Sequence, residues 1–281
     1  MTDSKTAPAP DYTGLFSLRG KTVLVTGGCG ILGTQFSAGL AAHGANIVIV
    51  DLDGAAVESA ARIIEERYSV QAIGLVADVS DPASVATMVE AAMARFGRID
   101  ALLNNAATKT SDIRTLMQPV ETASFENWRE AMSVNLDGMF LVAQAVGRTM
   151  RAAGGGSIIQ TSSIYGLVGP DLRIYEGSYY LGGPITNPLS YSTAKAGVIG
   201  MTRHLATEWA KDGVRVNALV PGGVESGQND IFKQKYSARI PMGRMARAEE
   251  MVGAVVWLAS GASSYVTGQV IAVDGGMTAT F

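Results

Sequence analysis

Several residue types that define whole classes of protein are scarce in this sequence. It contains one cysteine, Cys29, and two histidines, His43 and His204. One cysteine cannot form an intramolecular disulfide, and these three residues lack the spacing of a metal site. We therefore expect no bound metal and a reducing, cytoplasmic location. No apolar run approaches the ~18 residues of a membrane span, so no membrane association is expected.

An excess of charge of one sign is also lacking. The 22 lysines and arginines nearly balance the 25 aspartates and glutamates, and the net charge is −3. Because no basic run is present to bind a phosphate backbone, we expect no nucleic-acid partner. The polar, proline-containing start of the chain has no apolar signal core, and residues 1–17 are predicted to form a flexible N-terminal arm.

Apolar residues are abundant, at 47% of the chain, which is enough for a large core. Short runs rich in valine, isoleucine and leucine alternate with segments of helical spacing, and these runs are residues 21–26, 45–50, 70–77, 98–104, 156–162, 214–220 and 269–274. Such continuous apolarity is typical of parallel strands covered on both faces. The alternation predicts a single α/β domain over residues 18–281, with a doubly wound parallel sheet of the Rossmann type.

The stretch TGGCGILG, residues 26–33, places four glycines directly after the first predicted strand. It matches G-x-G-x-x-G at the strand-to-helix position that this motif requires, whereas an ordinary turn needs only one glycine. Glycines allow backbone to approach a pyrophosphate, whose charge is favoured at a helix N-terminus. The sequence therefore predicts a dinucleotide in the crevice beyond the carboxyl ends of the strands.

A carboxylate ends the second predicted strand. Asp51 follows Gly33 by 18 residues, close to the ~20 expected for the group that accepts hydrogen bonds from the adenosine ribose. A carboxylate repels a 2′-phosphate, and no arginine or lysine lies in the loop or beside Asp51. The sequence therefore favours NAD over NADP. Asp53 could take this role, but the end of the strand favours Asp51.

Tyr191 and Lys195 lie four residues apart in a segment of helical pattern, which puts both side chains on one helix face. A phenol is a poor base because its pKa is near 10. An ammonium ~4 Å away contributes about 4 kcal/mol at an effective dielectric constant near 20, or ~3 pKa units. The pair therefore predicts a Tyr191 pKa near neutral pH, where general acid–base catalysis is efficient.

Motifs of one family follow in order along the chain: TGGCGILG, Asp51, ADVS (77–80), LLNNAA (102–107), VNLDGMF (134–140), IIQTSSIYG (158–166), YSTAK (191–195), PGGVES (221–226) and VTGQVIAVDGG (266–276). Together they resemble the short-chain dehydrogenase/reductase family, in its single-domain branch, over residues 18–277. Several motifs in order are far more specific than any one of them. The resemblance implies hydride transfer between a nicotinamide cofactor and a CH–OH group.

Four catalytic residues are implied by the resemblance. Tyr191 is the proton donor or acceptor, and Lys195 lowers its pKa and holds the nicotinamide ribose. Ser163 orients the substrate oxygen, and Asn135 holds a water that links Lys195 to solvent. The residues implied to bind the cofactor are Gly27, Cys29, Gly30, Ile31, Leu32, Gly33, Asp51, Leu52, Asp78, Val79, Asn105, Ala106, Ala107, Thr161, Tyr191, Lys195, Pro221, Gly222, Val224 and Ser226.

Three positions depart from the family pattern. The branch usually has T-G-x-x-x-G-x-G, whereas here Gly30 is the middle glycine and Ile31 holds its usual place. That spacing is similar to the spacing of the sugar-nucleotide epimerase branch. Ala107 stands where the family normally has glycine, and Ser226 replaces the usual threonine but keeps the hydroxyl.

A long insert separates Ser163 from Tyr191, which are 28 residues apart, about twice the usual separation in the family. The extra chain, within residues 166–190, is expected to lie beside the reacting carbon. Its tyrosines and charged side chains suit a polyhydroxylated ligand, and Arg173 could pair with an anionic group. The candidate substrate residues are Ser163, Arg173, Tyr175 and Gly223. An equally weighted alternative is a surface or subunit-contact loop.

The sequence therefore predicts an NAD-dependent oxidoreductase that acts on a secondary alcohol or lactol of a sugar, sugar acid or polyol. One alternative is a 3-oxoacyl-thioester reductase, although Asp51 and the polar insert argue against it. Another is a non-catalytic dinucleotide sensor, which would not need the four catalytic residues together. Because the family usually forms tetramers, the resemblance also implies a homotetramer, with a dimer as the alternative.

Overall fold

The computed structural model describes Tyr12 and residues 14–108, 117–180 and 183–280. Its strands are β1 (Thr22–Thr26), β2 (Asn46–Asp51), β3 (Ala72–Val76), β4 (Ala101–Asn104), β5 (Gly156–Thr161), β6 (Tyr179–Tyr180), β7 (Gly183–Pro184), β8 (Val214–Pro221) and β9 (Val270–Val273). Seven of them form a parallel sheet in the order β3-β2-β1-β4-β5-β8-β9, while β6 and β7 form a short antiparallel pair. The seven predicted strands and the doubly wound sheet are confirmed.

Helices cover both faces of this sheet. The described helices are α1 (Ile31–Ala42), α2 (Gly54–Tyr68), α3 (Pro82–Phe96), α4 (Phe125–Met132), α5 (Met139–Ala152), α6 (Leu189–Trp209), α7 (Asp230–Ser237) and α8 (Val252–Ala259). Alternate residues of β1 point to opposite faces, so Val23 and Val25 join the core under α1, α2 and α8, whereas Leu24 joins the core under α3, α5 and α6. Because both faces are covered, the strands are apolar without alternation.

The ends of α3 show how local sequence sets the boundaries of an element. The Asp81 carboxylate accepts hydrogen bonds from the backbone N–H groups of Ala83 and Ser84, which satisfies donors that the first turn leaves free. Pro82 occupies the first turn, and Gly97 ends the helix in the left-handed conformation with φ of 74°. These three residues therefore mark both ends of the helix in the sequence itself.

The strand order reverses between β1 and β4, and this position defines the crevice. After β1 the chain crosses toward β2 and β3, whereas after β4 it crosses toward β5 and β8. The hydroxyl of Thr26 accepts hydrogen bonds from the backbone N–H groups of Asn105 and Ala106, at 2.9 and 3.1 Å. The loops after β1 and β4 are thereby joined at the edge where such sheets bind ligands.

The start of the described chain contacts the domain. Residues 14–17 form a turn, in which the carbonyl of Leu15 accepts a 3.0 Å hydrogen bond from the N–H of Ala262. The flexible arm was predicted to include residues 1–17, whereas residues 14–17 are held in place by these contacts. Residues 1–11 and 13 lie outside the described residues. None of the described helices is long and apolar enough to cross a bilayer.

Candidate active site

Three of the four glycines after β1 are required by close packing. A Cβ atom on Gly27, whose φ is 61°, would lie 2.9 Å from Ala106 Cα, and one on Gly28 would lie 2.6 Å from Ile49 Cγ2. A Cβ atom on Gly33 would lie only 2.0 Å from the carbonyl oxygen of Gly27. The glycines therefore let the loop press against β2, β4 and the first turn of α1, and they leave a cradle of bare backbone.

Gly30 differs from the other three glycines. Its nearest neighbour, the Gly27 carbonyl oxygen, would lie 3.4 Å from an added Cβ atom, which is ordinary contact. Gly30 precedes α1 and has no side chain to cap it, so the helix N-terminus faces the crevice with free backbone N–H groups. Ile31, at the usual place of the family glycine, is 54% exposed at this point.

We expect Gly33→Ala and Gly30→Ala to behave as a contrasting pair. In Gly33→Ala the new methyl group must displace the Gly27 carbonyl, which costs about 1–3 kcal/mol of stability and distorts the cradle. Gly30→Ala should unfold at nearly the wild-type urea concentration because its methyl group has room. Urea unfolding and fluorescence titration with NADH check both variants, and equal loss in the two would contradict the assigned packing.

Asp51 ends β2 beside this loop, as predicted. Its carboxylate accepts hydrogen bonds from the N–H groups of Cys29 and Leu52, at 3.0 and 2.8 Å. Asp53 lies close by and caps α2 by accepting from the N–H of Ala56. Burial raises the pKa of the Cys29 thiol, and the charges of Asp51 and Asp53 raise it further. Asp51 and Asp53 therefore place negative charge next to Cys29, and this charge would repel a 2′-phosphate on a ribose bound at Asp51.

Other predicted cofactor residues lie along the same edge of the sheet. The Asn105 amide donates to the carbonyls of Thr26 and Gly27, at 3.3 and 3.4 Å, so it ties the glycine loop to the end of β4. Asp78 accepts from the backbone and hydroxyl of Ser80, at 2.8 and 2.7 Å, and thus caps a turn. The adjacent Val79 is buried.

The predicted residues after β8 form the far wall of the crevice. The N–H of Gly222 donates to the carbonyl of Val273 at 3.0 Å, and Val224 pairs with Ala246 in an isolated bridge. Ser226 is held by Gln228, which accepts from its N–H and donates to its hydroxyl, both at 2.8 Å. Pro221 is the last residue of β8.

Ser163, Tyr191 and Lys195 come together where β5 meets α6. The hydroxyl of Ser163 is close enough to that of Tyr191 to lower the Tyr191 pKa. Lys195, one helical turn after Tyr191, is 2% exposed, and its Nζ lies 5.8 Å from the centre of the Tyr191 ring. The ammonium donates a 2.9 Å hydrogen bond to the carbonyl of Thr161. The structure therefore brings the predicted serine, tyrosine and lysine into one cluster.

The direction of the Tyr191 pKa differs from the prediction. Burial raises the pKa of Tyr191, and the hydrogen bond with Ser163 only partly opposes this. Lys195 is directed to the Thr161 carbonyl rather than at the phenol oxygen. The sequence argument omitted the cost of burying a phenolate, and here that cost exceeds the attraction of the nearby ammonium.

Burial also lowers the pKa of Lys195, from 10.5 to about 8. Between these values the unfolded chain binds a proton that the folded protein does not, so stability rises with pH across this window and is lost as the pH falls toward 8. We expect the free energy of unfolding, relative to Lys195→Met, to increase by about 3 kcal/mol between pH 8 and pH 10.5. Urea unfolding at several pH values measures this, and a constant difference would contradict it.

Asn135 lies in a π-helical segment, Ser133–Gly138, between α4 and α5. Such segments occur frequently at functional sites. Its side-chain oxygen accepts from the N–H of Thr108 at 2.9 Å, and its side-chain nitrogen donates to the Thr108 carbonyl at 3.1 Å. These two bonds fix the amide against the segment that follows β4. The water relay assigned to Asn135 stays a prediction.

The insert packs against α7 rather than extending into solvent. Asp171 pairs with both Arg173 and Arg239. The Lys235 ammonium donates to the carbonyls of Arg173 and Glu176, at 3.2 and 2.8 Å. Because Arg173 is bound to Asp171 at 2.8 and 2.9 Å and its side chain is 78% exposed, the structure does not favour its predicted contact with an anionic substrate.

Two further tyrosines, Tyr165 and Tyr236, lie near Tyr175 and were not predicted from the sequence. The hydroxyl of Tyr165 lies 3.1 Å from that of Tyr175, and the rings of Tyr175 and Tyr236 both pack against Phe232. A signal for Tyr165 was present in the sequence, because it lies two residues after Ser163. Tyr236 carried no such signal, since only folding places its ring on Gly223, where an added Cβ atom would lie 2.1 Å from Tyr236 Cε1.

The site has the features that a nicotinamide dinucleotide requires. The glycine cradle precedes a helix N-terminus, a carboxylate ends the second strand, and the hydroxyl of Thr161 is buried without a hydrogen-bond partner among the described residues. The described residues contain no cluster of three or more histidine, cysteine, aspartate or glutamate side chains that could hold a metal. The fold and the site thus define a dinucleotide-binding α/β oxidoreductase.

Comparison with known proteins identifies the family. A family model described as enoyl-(acyl carrier protein) reductase matches residues 30–278. D-threitol dehydrogenase of Mycolicibacterium smegmatis is 34% identical over 273 residues, covering 94% of this chain and 95% of that protein. The 3-oxoacyl-[acyl-carrier-protein] reductase of Chlamydia trachomatis is 34% identical over 261 residues, covering 92% of this chain and 97% of that protein. The chain belongs to the short-chain dehydrogenase/reductase family and is an enzyme that acts on alcohols or the corresponding carbonyl compounds.

Solved structures agree with this family. The crystal structure of a gluconate 5-dehydrogenase from Burkholderia cenocepacia, in complex with NADP and tartrate, superposes with a TM-score of 0.84. It is 33% identical in sequence, and the match covers 95% of this chain and 98% of that one. This agreement confirms the single seven-stranded Rossmann-type sheet.

Proposed function

We propose that the protein is an NAD-dependent dehydrogenase of a secondary alcohol or lactol in a sugar, sugar acid or polyol. The observation that carries the proposal is the cluster of Ser163, Tyr191 and Lys195 at the end of β5, on the same sheet edge as Asp51. The relation to D-threitol dehydrogenase supports a hydroxylated substrate. Cys29, as the sole cysteine, suits the reducing cytoplasm.

Different residues of the crevice would bind different parts of the dinucleotide. The backbone from Gly27 to Gly33 and the N-terminus of α1 would hold the pyrophosphate, and Asp51 would accept hydrogen bonds from the adenosine ribose. Lys195 would contact the second ribose, and the hydroxyl of Thr161, which has no hydrogen-bond partner among the described residues, would contact the nicotinamide. When bound, the nicotinamide supplies the hydride acceptor or donor.

The remaining catalytic work is proton transfer at the substrate oxygen. Ser163 would donate a hydrogen bond to that oxygen and hold it against Tyr191. Tyr191 would take the hydroxyl proton during oxidation and return it during reduction. Because burial raises the pKa of Tyr191 in the protein alone, we infer that oxidation is favoured by positive charge next to the phenol, from Lys195 and an oxidised nicotinamide.

A 3-oxoacyl-thioester reductase is the second candidate, and the Chlamydia trachomatis relative favours it. Two features of this chain weigh against it. The insert brings phenol hydroxyls, such as that of Tyr175, to the substrate side rather than an apolar channel. The carboxylates of Asp51 and Asp53 oppose NADP, which such reductases normally use.

A substrate screen tests the proposed function. The purified protein is incubated with NAD or NADP and a panel of alditols, aldoses and aldonic acids, and reduced nicotinamide is followed by its absorbance. Reduction of an acetoacetyl thioester with NADH or NADPH is measured in parallel. We expect NAD-dependent oxidation of at least one hydroxylated compound, whereas activity only in the thioester assay would favour the second candidate.

We also propose that the protein assembles as a homotetramer. Large apolar side chains are exposed around the start of α4 and α6, including Val120, Phe125 and Leu189, which are 61%, 69% and 50% exposed. A second copy that covered them would bury this apolar area, which is favourable. Light scattering at micromolar concentration measures the mass of the assembly, and the mass of a monomer would contradict the proposal. The mass of a dimer would mean that only one kind of contact between copies forms.

A further inference from the structure

Three tyrosines from distant parts of the sequence come together, and we call them the tyrosine cluster: Tyr165, Tyr175 and Tyr236. The hydroxyls of Tyr165 and Tyr175 lie 3.1 Å apart, and Tyr236 is close enough to Tyr165 to influence its pKa. Tyr165 follows β5, Tyr175 lies in the insert, and Tyr236 lies in α7. The rings of Tyr175 and Tyr236 both pack against Phe232, with ring centres 5.5 and 5.3 Å from its own. This packing and the contact of Tyr236 with Gly223 fix where the hydroxyls lie.

The tyrosine cluster lies beside the proposed catalytic residue. Tyr165 follows Ser163 by two residues, and its backbone N–H donates a 3.3 Å hydrogen bond to the Ser163 hydroxyl. A negative charge on Tyr191 raises the pKa values of all three phenols of the cluster. Gly223, against which Tyr236 packs, follows β8 at the carboxyl edge of the sheet. The cluster therefore lies next to Ser163 at this edge, between the insert and α7.

The hydroxyls of the cluster remain neutral and retain hydrogen-bonding capacity. Burial is the largest cause that raises the pKa of each phenol, so all three keep their protons at physiological pH. The bond between Tyr165 and Tyr175 uses one of the three hydroxyl protons. The remaining protons and lone pairs can serve ligand groups that both accept and donate hydrogen bonds, as alcohol hydroxyls do.

Charged groups around the cluster are already paired. Arg239, the cation that acts on Tyr165, is bound to Asp171, as is Arg173. Asp274, which acts on Tyr236, accepts hydrogen bonds from Gly276 and Thr278 at 2.6–2.9 Å. A carboxylate on the substrate would therefore meet neutral phenols and no unpaired cation of this group, whereas additional neutral hydroxyls would be well matched.

We propose that the tyrosine cluster binds hydroxyl groups of the substrate other than the one that reacts, and that the substrate class is the neutral polyols and sugars rather than sugar acids or acyl thioesters. This inference rests on the proposed function, because it requires Tyr191 to be the site of oxidation. Tyr165 and Tyr236 then act as specificity-determining residues, together with Tyr175.

The test uses substrate pairs that differ in one group. Butane-2,3-diol and butan-2-ol share a secondary alcohol and differ in one hydroxyl, while an alditol and the aldonic acid of equal chain length differ in charge. With NAD and the full-length wild-type protein, we expect kcat/KM to be at least about tenfold higher for the diol and for the alditol. The diol-to-butanol ratio should fall about threefold to tenfold in Tyr165→Phe and in Tyr236→Phe.

Tyr265→Phe is the matched control because the Tyr265 side chain is fully exposed, at 101%. The diol-to-butanol ratio of kcat/KM in this variant should equal that of the wild type. Fluorescence titration with NADH verifies that each variant is folded. A wild-type ratio near one, an unchanged ratio in both cluster variants, or a preference for the aldonic acid would overturn this inference while leaving the proposed function intact. Failure of the wild type to oxidise any hydroxylated compound would instead overturn the proposed function.

Discussion

In Tyr191→Phe we expect kcat for oxidation of the best substrate to fall by about 10³-fold. The variant lacks the hydroxyl that lies beside Ser163 and would exchange the proton of the substrate alcohol. The phenyl ring still fills the site, so the glycine loop, Asp51 and Lys195 keep their places and the affinity for NADH should change little. Steady-state kinetics and fluorescence titration with NADH give the two quantities separately.

The same variant separates the enzyme from a dinucleotide sensor. Tyr68→Phe is a suitable control because Tyr68 ends α2, on the opposite face of the sheet from α6, and its kcat should match that of the wild type. Activity in Tyr191→Phe above a tenth of the wild-type value would show that another group transfers the proton. Binding of NADH without turnover in the wild type, for all substrates and both cofactors, would favour the sensor.

The second large effect is expected from Asp51→Asn. The asparagine retains an oxygen that can accept from the N–H of Cys29, as the carboxylate does at 3.0 Å, but it removes the negative charge. Repulsion of a 2′-phosphate falls, and the charge-assisted hydrogen bonds to the ribose hydroxyls of NAD are weakened. We expect the ratio of kcat/KM for NAD to kcat/KM for NADP to fall about 100-fold.

Asp53→Asn provides the comparison for this measurement. Asp53 also raises the pKa of Cys29, but its carboxylate caps α2 through Ala56, and asparagine is an equally good capping residue. Its effect on the NAD-to-NADP ratio should therefore be several times smaller. If the wild type used NADP as well as NAD, or if Asp51→Asn left the ratio unchanged, then Asp51 would not set the cofactor preference.

Local patterns were sufficient to predict most of the fold. The seven parallel strands follow from short apolar runs, and the boundaries of α3 follow from Asp81, Pro82 and Gly97. The glycine motif predicted the crevice but not the role of each glycine. The two glycine patterns in the sequence include Gly30 together with Gly33 and either Gly27 or Gly28, whereas packing requires glycine at positions 27, 28 and 33. Only the neighbours brought by β2, β4 and α1 distinguish these positions.

The amino-acid sequence by itself determined the sheet, the family and the residues of the serine–tyrosine–lysine cluster, because periodicity, motif order and helical spacing are properties of short segments. The tertiary structure decided the direction of the Tyr191 pKa, the pairing of Arg173 with Asp171 and the meeting of Tyr165 with Tyr175 and Tyr236. Desolvation depends on everything packed around a group, and the tyrosine cluster joins side chains from the turn after β5, the insert and α7. No short segment contains that information.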